Sequence, residues 1–120
     1  MPHLAQLNVN VVVHRFKLEQ DTTQLGRLPE NDICIDSLEV SGYHAVIQRT
    51  GDSDYFIRDM ESTNRTFVNE QPIEAVQLRH GDTVRIGWVV FKFIDEHNPD
   101  FRKTSKIKKS WIPGVYYTKE

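Results

Sequence analysis

The 120 residues suffice for one domain with a modest core. At 38% hydrophobic and 27% charged they have an ordinary globular composition, with no apolar run near the roughly 20 residues of a membrane-crossing helix. The net charge of −2 is uneven: residues 1–100 hold nine Lys/Arg against sixteen Asp/Glu, a net of −7, while residues 101–120 hold six Lys/Arg and one Glu, a net of +5, so the body lacks the cationic face of a nucleic-acid binder.

The chain opens on Met1-Pro2-His3-Leu4-Ala5-Gln6-Leu7-Asn8, without the basic start and apolar stretch of a secretory leader. The lone cysteine, Cys34, cannot form an intrachain disulfide, and the expectation is a reducing, cytoplasmic location with no membrane association. Short β-branched and aromatic runs follow, with no segment of helical period. They predict strands over Leu4–Val9, Val11–Leu18, Gln24–Gly26, Asp32–Ile35, His44–Arg49, Tyr55–Asp59, Thr66–Val68, Thr83–Ile86 and Val89–Ile94. Pro29-Glu30-Asn31-Asp32, Gly51-Asp52-Ser53-Asp54 and Gly87-Trp88 read as turns, with Trp88 a packing residue. Cys34, between Ile33 and Ile35, reads as a small buried or edge-strand residue. Nine such strands predict an all-β sandwich or barrel. The domain is expected to occupy residues 1–95, followed by a basic tail over 96–120. Aromatics are rare in disordered tails, so Trp111–Tyr117 is expected to dock on the sandwich. Thr104, Ser105 and Thr118 would be acceptors for phosphate and would give the tail a route to self-association.

Nothing in the sequence proposes an enzyme. There is no Gly-rich phosphate loop before a helix, no serine nucleophile elbow and no Cys or His pair at metal spacing. His3, His14, His44, His80 and His97 are scattered. No catalytic residue, metal or cofactor is assigned.

The predicted loops carry a different set: Gly26-Arg27, then Ser41-Gly42-Tyr43-His44, then Ser62-Thr63-Asn64-Arg65-Thr66 and Asn69. Sandwich loops cluster at the ends, so these residues can converge. An arginine fork, several hydroxyls and an Asn amide make a compact donor set for an anion, and Arg matches phosphate oxygens bidentately.

In these residues the chain resembles the forkhead-associated (FHA) family from about Leu25 to Ile94. The likeness rests on Leu25-Gly26-Arg27, Asn31-Asp32-Ile33, Val40-Ser41-Gly42-Tyr43-His44-Ala45 and Tyr55-Phe56-Ile57-Arg58-Asp59. It continues through Ser62-Thr63-Asn64-Arg65-Thr66-Phe67-Val68-Asn69 and Leu78-Arg79-His80-Gly81-Asp82-Thr83-Val84-Arg85-Ile86-Gly87. Each motif alone is weak; their order and spacing make the resemblance specific. It implies an eleven-stranded FHA-type sandwich that binds phosphothreonine on a partner protein, as an adaptor in Ser/Thr-kinase signalling. It further implies that Arg27 and Ser41 contact the phosphate, that Thr63 lies beside the pocket, and that Asn64 holds the peptide main chain. Gly42 and Arg65 join this binding set, while Gly26, His44 and Asn69 shape loops. Three positions depart from the family pattern. Arg65 replaces a common Gly and would be strained at positive φ, Gly42 replaces a common donor residue, and Glu61 brings negative charge where Gly is frequent. These departures motivate the alternative that the same fold binds a partner without phosphate. A nucleic-acid role would rest on residues 102–109 alone and ranks behind both.

Overall fold

Alternation of apolar and polar side chains builds two sheets. The structure, a computed structural model, describes residues 2–51 and 53–96, and the expected docking of Trp111–Tyr117 and the acceptors in the tail lie outside the described residues. Eleven strands follow in chain order: β1 (His3–Asn8), β2 (Val11–Lys17), β3 (Thr22–Gly26), β4 (Ile33–Cys34), β5 (Ala45–Thr50), β6 (Asp54–Asp59), β7 (Thr66–Val68), β8 (Gln71–Ile73), β9 (Ala75–Leu78), β10 (Thr83–Ile86) and β11 (Val89–Ile94). One sheet has the order β2-β1-β11-β10-β7-β8 and the other β4-β3-β5-β6-β9. Strands β3 and β4 pair in parallel. The described residues contain no helix, as the all-β expectation requires.

The core lies between the sheets. Leu4, Val84, Ile86, Phe91 and Phe93 come from the first, and Leu25, Ile47, Tyr55, Ile57 and Leu78 from the second; all are buried. The Tyr55 and Phe93 rings meet across the layers with centroids 5.7 Å apart. Burying a large apolar side chain contributes roughly 1.5–3 kcal/mol, so this row holds the sheets in register.

Eleven strands replace the nine that the residue pattern predicts, the two added being β8 and β9. Pro72 demotes Gln71-Pro72-Ile73 as a strand because proline cannot donate to a ladder. The structure accommodates it on the sheet edge, where Phe67 faces Pro72. Asn69 and Glu70, at φ 52° and 66°, form the two-residue turn between β7 and β8. Val9 and Asn10, at φ 52° and 64°, do the same between β1 and β2. At Val9 a branched side chain occupies a conformation that costs it about 1–3 kcal/mol. Cys34 sits on the edge strand β4, exposed, with its thiol donating to the Arg27 carbonyl at 3.3 Å. Trp88 departs from its expected packing role: it follows Gly87 in the β10–β11 turn and is exposed.

His80 ties the β9–β10 turn to the end of β11, its Nδ1 accepting from the Asp95 N–H at 3.0 Å. Burial pushes its pKa down, with Glu96 and Asp95 opposing. The fold thus favours neutral His80, and the unfolded chain takes up the proton more readily. This contribution to stability is complete above about pH 6.5 and is lost as the pH falls through that value towards the lower folded pKa. Urea denaturation is expected to show a lower midpoint at about pH 5.5 than at about pH 7.5. His80→Gln is expected to flatten that difference.

Candidate functional site

Strand register decides which loops meet. Leu25 pairs with Ala45, and Ala45 with Asp59. The chain therefore leaves β3, enters β5 and leaves β6 at one end of the second sheet. Thr66 pairs with Ile86, so the β6–β7 loop and the β10–β11 turn lie at that end too. Three segments, 27–32, 35–44 and 60–65, form the cluster.

Backbone bonds fasten the first two. The Arg27 N–H donates to the Ser41 carbonyl at 3.0 Å, Leu28 to Gly42 at 3.3 Å, and His44 to Leu25 at 2.9 Å. A Cβ on Gly26 would stand 2.2 Å from the Gly42 carbonyl oxygen, so only glycine admits this approach. Buried Asn31 adds a side-chain clamp, its Nδ2 donating to the carbonyls of Leu28 at 2.9 Å and Gly42 at 2.7 Å.

His44 joins the second loop to the third. Its ring is fully buried. Nδ1 accepts from the Ser41 N–H at 3.1 Å, and Nε2 lies 2.8 Å from the Arg65 carbonyl. An N–H on one side and a carbonyl on the other fix the tautomer: Nε2 carries the proton and Nδ1 the lone pair. Ser41 Oγ in turn accepts from the Thr63 N–H at 3.0 Å. Asn64 Nδ2 donates to the Glu39 carbonyl at 2.9 Å. At the base of the third loop, Asp59 accepts from the Ser62 N–H, the Ser62 hydroxyl and buried Thr66.

What this web leaves open is a set of donors. Ser41 Oγ has one lone pair occupied by Thr63, and its hydroxyl hydrogen remains to be given. The exposed Arg27 guanidinium has no hydrogen-bond or ion-pair partner among the described residues. The Asn64 amide keeps its Oδ1 free to accept, while its Nδ2 also reaches the Glu39 carboxylate at 3.5 Å. A groove of about 610 Å³ runs along Arg58, Glu61, Thr63, Arg65 and Glu74, and Arg27, Ser41 and Asn64 do not line it. Tyr43, also in the cluster, donates to Glu30 at 3.3 Å, and that carboxylate raises its phenol pKa.

Of the residues expected from sequence, Gly26, Arg27, Ser41, Gly42, His44, Thr63, Asn64 and Arg65 all fall in this cluster. Gly42 adds no side-chain donor, and its carbonyl carries the Leu28 and Asn31 bonds. Asn69 stands apart. It leaves β7 at the opposite end, where its Oδ1 accepts from the Thr83 N–H at 3.0 Å and its Nδ2 donates to Asp82 at 3.1 Å. Asn31, Glu39, Asp59 and Thr66 support the site without having been singled out for it. Their signal in sequence was position alone: Asn31 and Glu39 act through partners on another loop, and Asp59 and Thr66 through each other across the base of the third. The described residues hold no group of three or more His, Cys, Asp or Glu that could bind a metal. No helix among them is long and apolar enough to cross a membrane.

Glu61 and Arg65 adopt φ 55° and 68°. Both are therefore strained where glycine would not be. Arg65→Gly removes a Cβ from a left-handed residue and keeps the carbonyl that His44 binds. Relief of roughly 1–2 kcal/mol, less the added freedom of the unfolded chain, is expected to raise stability by about 0.5–1 kcal/mol. A chemical-denaturation midpoint below that of the unaltered chain would contradict this.

Residues 23–87 match the family model described as the FHA domain. The chain is 44% identical over 73 residues to an oxoglutarate dehydrogenase inhibitor of Corynebacterium jeikeium, covering 61% of this chain and 50% of the relative. It is 41% identical over 73 residues to the glycogen accumulation regulator GarA of Mycolicibacterium smegmatis, covering 61% and 46%. The chain thus spans about half the length of the curated relatives it matches. The solved structure of Mycobacterium tuberculosis EmbR in complex with a low-affinity phosphopeptide superposes with a TM-score of 0.72 at 37% identity, over 78% of this chain and 24% of that one. With its two sheets, its clustered loops and a family match over more than half its length, the chain belongs to the FHA-domain family.

Proposed function

We propose that the chain is a phosphothreonine-dependent interaction module that reports Ser/Thr-kinase activity by binding a phosphorylated partner, without catalysis and without a cofactor. The observation that carries this reading is the unpartnered Arg27 side chain on a backbone bonded to Ser41, whose hydroxyl has its acceptor side already filled by Thr63. Phosphothreonine brings roughly −1.5 to −2 charges and three acceptor oxygens. Arg27 takes two of them, the Ser41 hydroxyl a third, and the Asn64 amide the peptide main chain, with Thr63 lining the pocket and Arg65 adding positive charge. EmbR, bound to a phosphopeptide in its solved complex, supports the assignment by likeness.

The charge-assisted bonds, each contributing about 1.5–3 kcal/mol, offset the cost of ordering a peptide and leave an affinity on the order of micromolar. Such binding reverses readily. The reading places the protein in the cytoplasm, in keeping with its single free thiol. It places the domain over residues 1–95, with its partner a phosphothreonine-containing protein.

Glu39 and Glu61 beside the cluster, with Gly42 offering no side-chain donor, favour a second reading in which the partner binds without phosphate. Calorimetric titration of the full chain with matched threonine, phosphothreonine and phosphoserine peptides separates the two. Micromolar binding of the phosphothreonine form, at least about tenfold tighter than the unmodified one, is expected. Equal affinities would establish the phosphate-independent reading instead.

A further inference from the structure

The end of the sandwich that carries the loop cluster also carries an apolar shelf that the phosphate chemistry does not use. Ile86 faces Thr66, which brings the β10–β11 turn beside the β6–β7 loop. The turn is pressed against the second loop: a Cβ on Gly87 would lie 3.1 Å from Val40 and 3.3 Å from the Glu39 side chain. Glu39 is the residue whose carbonyl Asn64 holds. Leu7 faces Val90, so the β1–β2 turn lies next to Trp88. Leu38, Val9, Val11 and Trp88 thus flank the cluster on one side, exposed by 88%, 88%, 62% and 81%. Half-buried Leu7 and Val90, with exposed Val12 on the same row, lie on the outer face of the first sheet, opposite to the face of Val11, and form no part of this shelf.

Folding explains none of these exposures. A type I′ turn prefers Asn or Gly where Val9 sits at φ 52°. Valine there accepts both backbone strain and solvent exposure, and such outliers gather at functional surfaces. Trp88 has the same character: the turn takes its positive φ from Gly87, and an indole is not required by the position that follows. Contiguous exposed apolar residues beside a binding site mark contact with a partner, and a rigid tryptophan is a frequent anchor.

We propose that the phosphorylated partner is held at two points, its phosphothreonine at Arg27 and Ser41 and an apolar segment of the same polypeptide on the shelf of Val9, Val11, Leu38 and Trp88. This rests on the phosphothreonine reading and specifies the partner: the residues flanking the modified threonine on the shelf side are aliphatic or aromatic. Continuity with the loop cluster, through Gly87, Glu39 and Asn64, assigns the shelf to that partner.

The test uses the full chain and a degenerate peptide library with a fixed phosphothreonine. The unaltered protein is expected to enrich Leu, Ile, Met or Phe at outer flanking positions. The best peptide is then compared with one whose apolar flanks are replaced by serine, on the unaltered chain, on Trp88→Ala and on Val9→Asn, whose side chain suits the turn. Each substitution is expected to weaken the apolar peptide about tenfold and to leave the serine peptide unchanged. No apolar enrichment, or equal losses for both peptides, overturns the proposal. Concentration-dependent dimerisation that Trp88→Ala abolishes, without an effect on the peptides, overturns it in favour of a second copy. Equal capture of an unphosphorylated library would defeat the phosphothreonine reading itself, and the two-point proposal with it. Retained phosphate dependence with no apolar preference would defeat only the shelf.

Discussion

Arg27→Ala is expected to cost about 2–4 kcal/mol of phosphothreonine-peptide affinity, roughly thirty- to thousandfold, while leaving the unfolding midpoint where it was. The two halves of that expectation rest on different atoms. The guanidinium is exposed and makes no hydrogen bond or ion pair to lose within the described residues, so its removal leaves the core and the loop bonds in place. The loop bond made by residue 27 runs from its backbone N–H to Ser41 and survives any side chain other than proline. For the ligand the loss is severe, because a phosphate lying against Ser41 keeps its charge and gives up its principal counter-ion. Arg27→Lys is expected to recover part of the affinity. The charge returns, but a point ammonium does not match two oxygens as a planar fork does. Unchanged calorimetric affinity in Arg27→Ala would move the anion site elsewhere in the cluster.

His44→Ala is expected to act through stability first, by about 2–4 kcal/mol. Three losses coincide. The imidazole is fully enclosed, so a void replaces it. The Ser41 N–H and the Arg65 carbonyl lose their partners. The span between the second and third loops then rests on the Ser41–Thr63 and Asn64–Glu39 bonds and on Met60, whose N–H reaches the His44 carbonyl. Peptide binding should weaken as a consequence, because Ser41 and Thr63 are no longer held opposite one another. A melting temperature equal to that of the unaltered chain, with binding lost, would show that the ring touches ligand directly.

The legibility of the fold followed the strength of local pattern. Runs such as Tyr55–Asp59 and Thr83–Ile86 alternate cleanly and bury every second residue, and they fold where the pattern places them. Strands β8 and β9 escaped because their stability is not local. Gln71-Pro72-Ile73 is a strand by virtue of Phe67 and its neighbours across the turn, and Ala75–Leu78 by virtue of pairing with β6. Within the site, Arg27, Ser41 and Asn64 were legible because a forked cation, a hydroxyl and an amide declare their chemistry by type. Asn31 and Asp59 did not, since an Asn in a turn and an Asp at a strand end are commonplace until their carbonyl and hydroxyl partners are known. Asn69 shows the converse. Its turn-forming character was readable, yet only the register of β7 with β10 shows that it serves the far end of the sandwich.

The amide hydrogens of Arg27, His44 and Thr63 are committed to bonds that tie one segment of the cluster to another or to the neighbouring strand, and that of Ser41 to the His44 ring, whose other nitrogen meets the third loop at the Arg65 carbonyl. Opening any one segment therefore releases bonds in the others, and these amides should exchange with deuterium as a single cooperative unit rather than piecemeal. An arriving peptide meets donors that are already in place. Encounter then resembles docking onto a rigid surface, with association rates similar from one peptide to the next and the differences in affinity carried by how long each stays bound.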